Sequence, residues 1–286
     1  YICLPVNSKK RLITMQIPIE DFYEDVLAKT AKGLGFSAST LAERAGLDRE
    51  AVREALRGNF VEEEARKLAP ILNLDVDALV LLGQSKWIPQ QINLNGLALF
   101  NSAFADMTVN AFVVWDPSTL EAAIFDSGAD ASELITFVQG KGLKVKGVWV
   151  THTHRDHIED IPAIVSALDC PVYVGEKELA NFGISFAAGK RFSIGNLSIE
   201  SRLTWGHARG GITYVVSGLD RPIAIVGDAL FAQSMGGGMI SFKDALETSG
   251  QEIMTLPDET VICPGHGPMT SVGEEKKVNP FFAGKF

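Results

Sequence analysis

Residues 151–157 read THTHRDH and place three of the chain's five histidines and one aspartate within seven positions, directly after the apolar run VKGVWV. No other stretch constrains the fold as strongly. An apolar run of this length reads as a buried strand, and residues two apart at a strand's end project to the same side. His152 and His154 therefore address one volume, and Asp156 and His157, at the turn into the next helix, are free to point back at it. Imidazoles and a carboxylate in one volume are the chemistry of a divalent metal site. Such a site needs further ligands, and these should recur at other strand ends.

They do recur. His207 lies in TWGHARGG between two strand-like runs, Asp228 ends the apolar strand PIAIVGD, and His266 ends VICPGH. A glycine precedes each of the three (Gly206, Gly227, Gly265), which lets the backbone turn tightly beside a crowded centre. The five histidines are now all used, each at a strand terminus.

Periodicity divides the chain. From Asp21 to about Leu82 the pattern is helical: FYEDVLAKTAKGLG, SASTLAERAG, LDREAVREALRG, EEEARKLAPILN and DVDALVLLG follow one another. Ser37 or Ser39 and Asp48 are cap candidates, and Gly46 and Gly58 are closing glycines. Residues 84–93 (QSKWIPQQIN) break the pattern as a linker. Beyond them come short β-rich runs with interspersed helices, the mark of a layered α/β domain. The expected organisation is an N-terminal extension over 1–20, a helical domain over 21–83, the linker, and an α/β domain over 94–286. Met15 reads as a natural start, and residues 1–14 are expected to have no role in the fold.

The helical stretch resembles the Cro/C1-type helix-turn-helix domain over roughly residues 22–83, carried by TLAERAGLDREAVREALRG and the tail LAPILNLDVDALV. The resemblance implies DNA contact through Arg49, Arg53 and Arg57 on the exposed face of 48–57. Against it, Asp48, Glu50 and Glu54 lie on the same helix, and the usual base-reading side chains are missing. The competing reading is a degenerate module used for packing or dimerisation.

THTHRDH, Gly206-His207, Gly227-Asp228 and PGHG at 264–267, in that order, resemble the metallo-β-lactamase superfamily over about residues 94–282. The resemblance implies an αββα sandwich with the active site at one edge of its two sheets. It assigns His152, His154 and His207 to a first metal and Asp156, His157 and His266 to a second, with Asp228 bridging. Zinc is the expected metal, with iron or a mixed iron–zinc pair as alternatives. GDALF at 227–231 and PGHGPMTSVGEEKKVNPFF at 264–282 are similar to the glyoxalase II-like branch. The chain departs from that branch at Trp205, where proline is usual, and at SMGGGMISF (234–242), and the branch's extra glutathione-contacting helical domain is not expected.

That resemblance implies a hydrolase in which two cations make hydroxide available near neutral pH for attack on an activated carbonyl such as a thioester. Asp156 and Asp228 would orient the nucleophile as catalytic residues. The alternative in the same fold is a persulfide dioxygenase-like enzyme with one iron on His152, His207 and Asp228. A second alternative is a DNA-binding regulator whose metal domain acts as sensor. Arg155, Trp205 and Arg209 are candidate substrate contacts, and Gly236–Gly238 a candidate lip over the site.

Composition excludes other classes. The net charge is −9, with neither half basic, which disfavours non-specific nucleic-acid binding. No apolar run approaches the roughly 18 residues of a membrane span, and nothing at the N-terminus reads as a signal peptide. Three scattered cysteines (Cys3, Cys170, Cys263) suit reduced thiols, with Cys263 expected as a buried strand residue. The expected setting is the cytoplasm, the expected partner a small-molecule substrate, and homo-oligomerisation is compatible with the sequence.

Overall fold

A computed structural model describes residues 17–286. The expectations for residues 1–14 and for Cys3 lie outside the described residues.

Alternation along the strands builds the layers. In β2 (Met107–Trp115) and β3 (Glu121–Phe125), Phe112, Val114, Ala123 and Phe125 face one core while Val113, Trp115, Ala122 and Ile124 face another. That period of two, with both faces apolar, requires cover on each side. The first sheet runs β1 (Leu97–Phe104), β2, β3, β4 (Lys144–Trp149), β5 (Val172–Gly175), β6 (Ile184–Phe186). It is antiparallel from β1 to β3 and parallel from β3 to β6. Its outer face is covered by α6 (Ser132–Lys141) and α8 (Ile161–Leu168) through Leu134, Val138, Ile161 and Ile164.

The second sheet has the order β12 (Thr270–Ser271), β11 (Val261–Pro264), β10 (Ile223–Gly227), β9 (Ile212–Ser217), β8 (Leu197–Leu203), β7 (Arg191–Ile194). Between the sheets lie Phe112, Phe125, Trp149, Tyr214, Ile225 and Cys263. Cys263 is thus a buried strand residue. This is the mixed α/β sandwich of two sheets with helices outside. The short β6, β12, α7 (Arg155–Ile158) and α10 (Val272–Val278) were not legible as separate elements.

The helical stretch forms α1 (Tyr23–Gly33), α2 (Ala38–Ala45), α3 (Arg49–Ala55), α4 (Glu62–Ile71) and α5 (Val76–Gly83). Ser37 caps α2 and Asp48 caps α3, each side chain accepting a backbone N–H, and Gly46 ends α2 in the left-handed region (φ 62°). These helices pack chiefly on one another, α4 against α5 and α2 against α3 and α4. Val26, Leu27, Leu68, Leu79 and Leu82 share one buried cluster with Ala224 and Val226 of β10, Ala245 of α9 (Phe242–Glu252), and Phe281 and Phe282. The helices' closest contacts outside the segment are α1 on α9 and α5 on α10. Residues 84–93 have no regular structure, but Trp87 Nε1 donates to Glu274 Oε1 (3.2 Å) and Ile92 packs on the inter-sheet core. Among the described residues no helix is long and apolar enough to cross a membrane.

Candidate metal centre

The C-terminal ends of β3, β4, β8, β10 and β11 meet at one edge of the sandwich, and the loops leaving them carry the site. His152 and His154 follow β4, Asp156 and His157 sit in the one-turn α7, His207 lies between β8 and β9, Asp228 follows β10, and His266 follows β11. The edge is crowded. A Cβ on Gly265 would lie 2.2 Å from Asp228 Oδ1 and 2.5 Å from the His157 ring, so only glycine fits there. Gly227 has φ 51° and approaches Thr151 where a Cβ would clash at 2.5 Å.

All seven predicted ligands converge as two groups. In the first, His154 Nδ1 lies 3.0 Å from His152 Nε2 and 3.0 Å from His207 Nε2, and Asp228 Oδ2 lies 3.3 Å from His207 Nε2. In the second, His266 Nε2 and His157 Nε2 lie 3.1 and 3.5 Å from Asp156 Oδ2. Asp228 faces both: Oδ1 is 3.3 Å from His157 Nε2, and Oδ2 is 3.5 Å from His266 Nε2.

These separations fit ligands around a common cation. Atoms bound tetrahedrally at 2.0–2.1 Å stand about 3.3 Å apart. His157 Nε2 and Asp228 Oδ1 are buried and face one another, yet neither makes a hydrogen bond of acceptable geometry. Orphaned donor atoms of this kind are explained by an ion between them. The charge balance points the same way. Burial alone would push the His157 imidazole down, but Asp228 and Asp126 overcome it and raise it to about 10. His266 is likewise lifted against its burial to about 11 by Asp156 and Asp228. The carboxylates thus demand positive charge, which divalent cations supply in place of protons. Burial holds the His152 imidazole well below its usual range, favouring the neutral, ligating form.

A second ring of contacts orients the histidines. His157 Nδ1 faces Asp126 Oδ2 (2.9 Å), His207 Nδ1 faces the Gly237 carbonyl (2.8 Å), and His266 Nδ1 faces the Thr108 carbonyl (2.6 Å). Each of these three acceptors requires the proton on Nδ1, which leaves the Nε2 lone pair aimed inward. His152 Nδ1 lies 3.1 Å from Thr151 Oγ1, which itself donates to Asp126 Oδ2 (2.7 Å). Asp126 also accepts the Thr151 backbone N–H.

The residues matching a family model described as the metallo-β-lactamase superfamily run from 105 to 266, more than half the chain and all seven ligands. The chain belongs to the metallo-β-lactamase superfamily. Bacillus subtilis YqgX, named a probable metallo-hydrolase, is 29% identical over 199 residues, covering 60% of this chain and 91% of that protein. The B3 metallo-β-lactamase BLEG-1 is 27% identical with a TM-score of 0.56, over 65% of this chain and 100% of that one. TTHA1623, solved in a di-iron-bound form, is 25% identical with a TM-score of 0.53, over 64% of this chain and 99% of that one. The superfamily and the donor set together mark a metal-binding hydrolase.

The other predicted contacts fare differently. Arg155 is exposed, and its guanidinium donates twice to Glu159 (2.6 and 2.9 Å), one helical turn on and outside the ligand set. Trp205 is half-buried, with its carbonyl accepting from Thr248 Oγ1, and Arg209 is exposed. Gly236 is no free lip. It is buried, and a Cβ there would lie 1.9 Å from the Asp228 carbonyl, while the Gly237 carbonyl orients His207. On α3 and the turn after it, Arg53 pairs with Glu50 (2.9 Å) and Arg57 with Glu54 (2.6 Å), and Arg49 is exposed.

Sequence reasoning missed three contributors. Asp126 follows β3 with φ 58°, and only its aspartate ahead of Ser-Gly hinted at a role. Glu20 is half-buried beside Gly267, and burial raises its carboxyl. Lys29 of α1 donates to the Met235 carbonyl (2.7 Å), pairs with Asp21 and lies over the Phe231 ring, which edges His266. A cavity of about 190 Å³ opens at the same edge of the sandwich, between Gly175, Lys177, Ala188, Leu203, Gly210 and Ile212.

Proposed function

We propose that this protein is a dinuclear metallohydrolase of the glyoxalase II-like kind, acting on thioesters. The observation that carries the reading is Asp228, whose two carboxylate oxygens face ligands of both histidine groups. A carboxylate so placed suits a bridge between two cations, most simply zinc, with His152, His154 and His207 holding one and Asp156, His157 and His266 the other. Bound there, the pair would supply water ionised near neutral pH and positive charge against a developing oxyanion. Asp156 and Asp228 would orient the attacking water by accepting its hydrogens; as its oxygen bonds the carbonyl carbon and the C–S bond breaks, an Asp228 oxygen would pass the water's proton to the departing thiolate. Asp126 and the Thr108 and Gly237 carbonyls would hold the imidazoles in the ligating tautomer throughout.

A mononuclear iron site on His152, His207 and Asp228 would leave Asp156, His157 and His266 without a purpose, although they form a complete second group. For the helical segment we favour packing over a helix-turn-helix role in DNA binding. Its apolar residues share one buried cluster with α9 and the C-terminal Phe281 and Phe282, and two of its three candidate arginines are paired with Glu50 and Glu54.

Metal analysis, thioester hydrolysis and persulfide-dependent oxygen uptake should be run on one purified sample. Two metals per chain with hydrolysis is the expected result, and one iron with oxygen uptake would overturn it. Salt-sensitive binding of genomic fragments in a shift assay, lost in Arg49→Ala, would restore the regulator reading.

A further inference from the structure

Three of the four first-group ligands hang on two loops, and one side chain ties those loops together. Thr153 lies between His152 and His154. Its backbone N–H and its hydroxyl both donate to Glu178 Oε2, at 2.9 and 2.5 Å. Gly210, three residues past His207, donates its backbone N–H to Glu178 Oε1 at 2.6 Å. Glu178 itself belongs to neither loop; it sits in the turn after β5. The fit is tight, since a Cβ on Gly210 would lie 2.4 Å from the Glu178 backbone nitrogen. Apart from this carboxylate, the loops are joined near the site by the Ile212 N–H to the Thr151 carbonyl (2.9 Å) and by the approach of the histidine rings themselves.

We infer that Glu178 is a positioning residue that sets the first metal group, by clamping the His152–His154 loop to the His207 loop. The inference rests on the metal-centre reading but on no particular substrate. A carboxylate suits the task because it only accepts, and all three groups facing it are donors. Each oxygen serves one loop, so the span between His154 and His207 is fixed by the width of one carboxylate. Imidazoles held this way need no rearrangement to receive a cation, and partners outside the ligand set are typically worth about 10–100-fold in metal affinity.

Glu178→Gln tests this with little change of shape. An amide has one accepting oxygen, so one loop keeps its partner and the other meets an N–H₂ group. Stepwise metal affinities should be measured by titrating chelator-stripped protein with Zn²⁺ or Co²⁺ against a competing chelator. His154→Ala identifies the first-site constant. We expect Glu178→Gln to weaken that constant about 10–100-fold, with the second-site constant within about twofold of the parent. Adding Glu178→Gln to His154→Ala should cost little more, because both act on one group. A merely structural Glu178 would lower the melting temperature of the metal-free protein and leave both constants alone, and that result overturns the inference. Equal weakening of both sites overturns it as well. Glu178→Asp, too short to reach both loops, should behave like the Gln variant, and parent-like first-site affinity in both variants would count against the clamp. Parent protein that takes up no metal would instead sink the metal-centre reading, and the clamp with it.

Discussion

Glu275 offers a sharp test of how the Asp228 loop is held. It is fully buried in α10, and its carboxyl accepts the Gln233 N–H (2.9 Å) and the Asn279 side-chain N–H (2.8 Å) on Oε2 and the Thr270 hydroxyl (2.8 Å) on Oε1. Asn279 in turn donates to the Ser234 carbonyl, so this network anchors residues 231–234 just beyond Asp228. Burial raises the Glu275 carboxyl from its ordinary 4.5 to about 7, against the pull of those hydrogen bonds. The folded pKa lies above the unfolded one. The neutral acid's contribution to stability is therefore complete below about 4.5 and is lost as pH rises through about 7. The loss is about 3 kcal/mol at roughly 1.4 kcal/mol per pH unit. In Glu275→Gln, the amide oxygen replaces Oε2, and the amide N–H₂ donates to Thr270 Oγ1, which accepts as readily as it donates. That variant should lose no stability over the same range. Melting temperatures of chelated parent and variant should be compared from pH 5 to 8.5, so that the histidines and other groups cancel. The variant should gain on the parent by roughly 5–10 °C as pH rises. A difference that stays constant across the range, or that moves in the parent's favour, would refute the reasoning.

Other outcomes follow from the same contacts. Asp228→Ala should remove the shared oxygens and lower metal content and turnover together, so full turnover in a metal-poor variant would defeat the dinuclear reading. Gly236→Ala must push the Asp228 carbonyl aside and should cost about 1–3 kcal/mol, measured by denaturant unfolding, together with weaker metal retention. Lys29→Met should destabilise by about 1–3 kcal/mol by stranding the Asp21 carboxylate and the Met235 carbonyl, with part of the loss recovered in Lys29→Met/Asp21→Asn. Arg155→Ala breaks only an exposed pair with Glu159, so the melting temperature should stay at the parent's value, and a large fall in kcat/KM would reinstate Arg155 as a substrate contact.

The ligand set was legible because the ligands lie in or just beyond the loops that leave strand-like runs, and those loops meet at one edge of the sandwich. THTHRDH, Gly227-Asp228 and PGHG are local signals of that kind. The groups that orient the ligands have no such signal. The Thr108 and Gly237 carbonyls are backbone atoms that any residue could provide. Asp126 and Glu178 are ordinary acidic residues in turns until β3 and β5 set them beside the loops after β4 and β8.

The helical segment makes the same division. Its periodicity, caps and closing glycines identified each helix and showed which face is apolar. They could not show what that face meets. A helical repeat specifies a stripe to be buried, and a small helical core or the outside of a neighbouring sheet buries it equally well. Here Val26, Leu27 and Leu79 share one buried cluster with Ala224, Val226 and Phe281, all well over a hundred residues further along the chain. The sequence by itself determined the longer elements and the metal-binding chemistry. Only the tertiary structure decided which loops Glu178 joins and which elements the helices pack against, because both depend on contacts between segments whose separation along the chain carries no pattern.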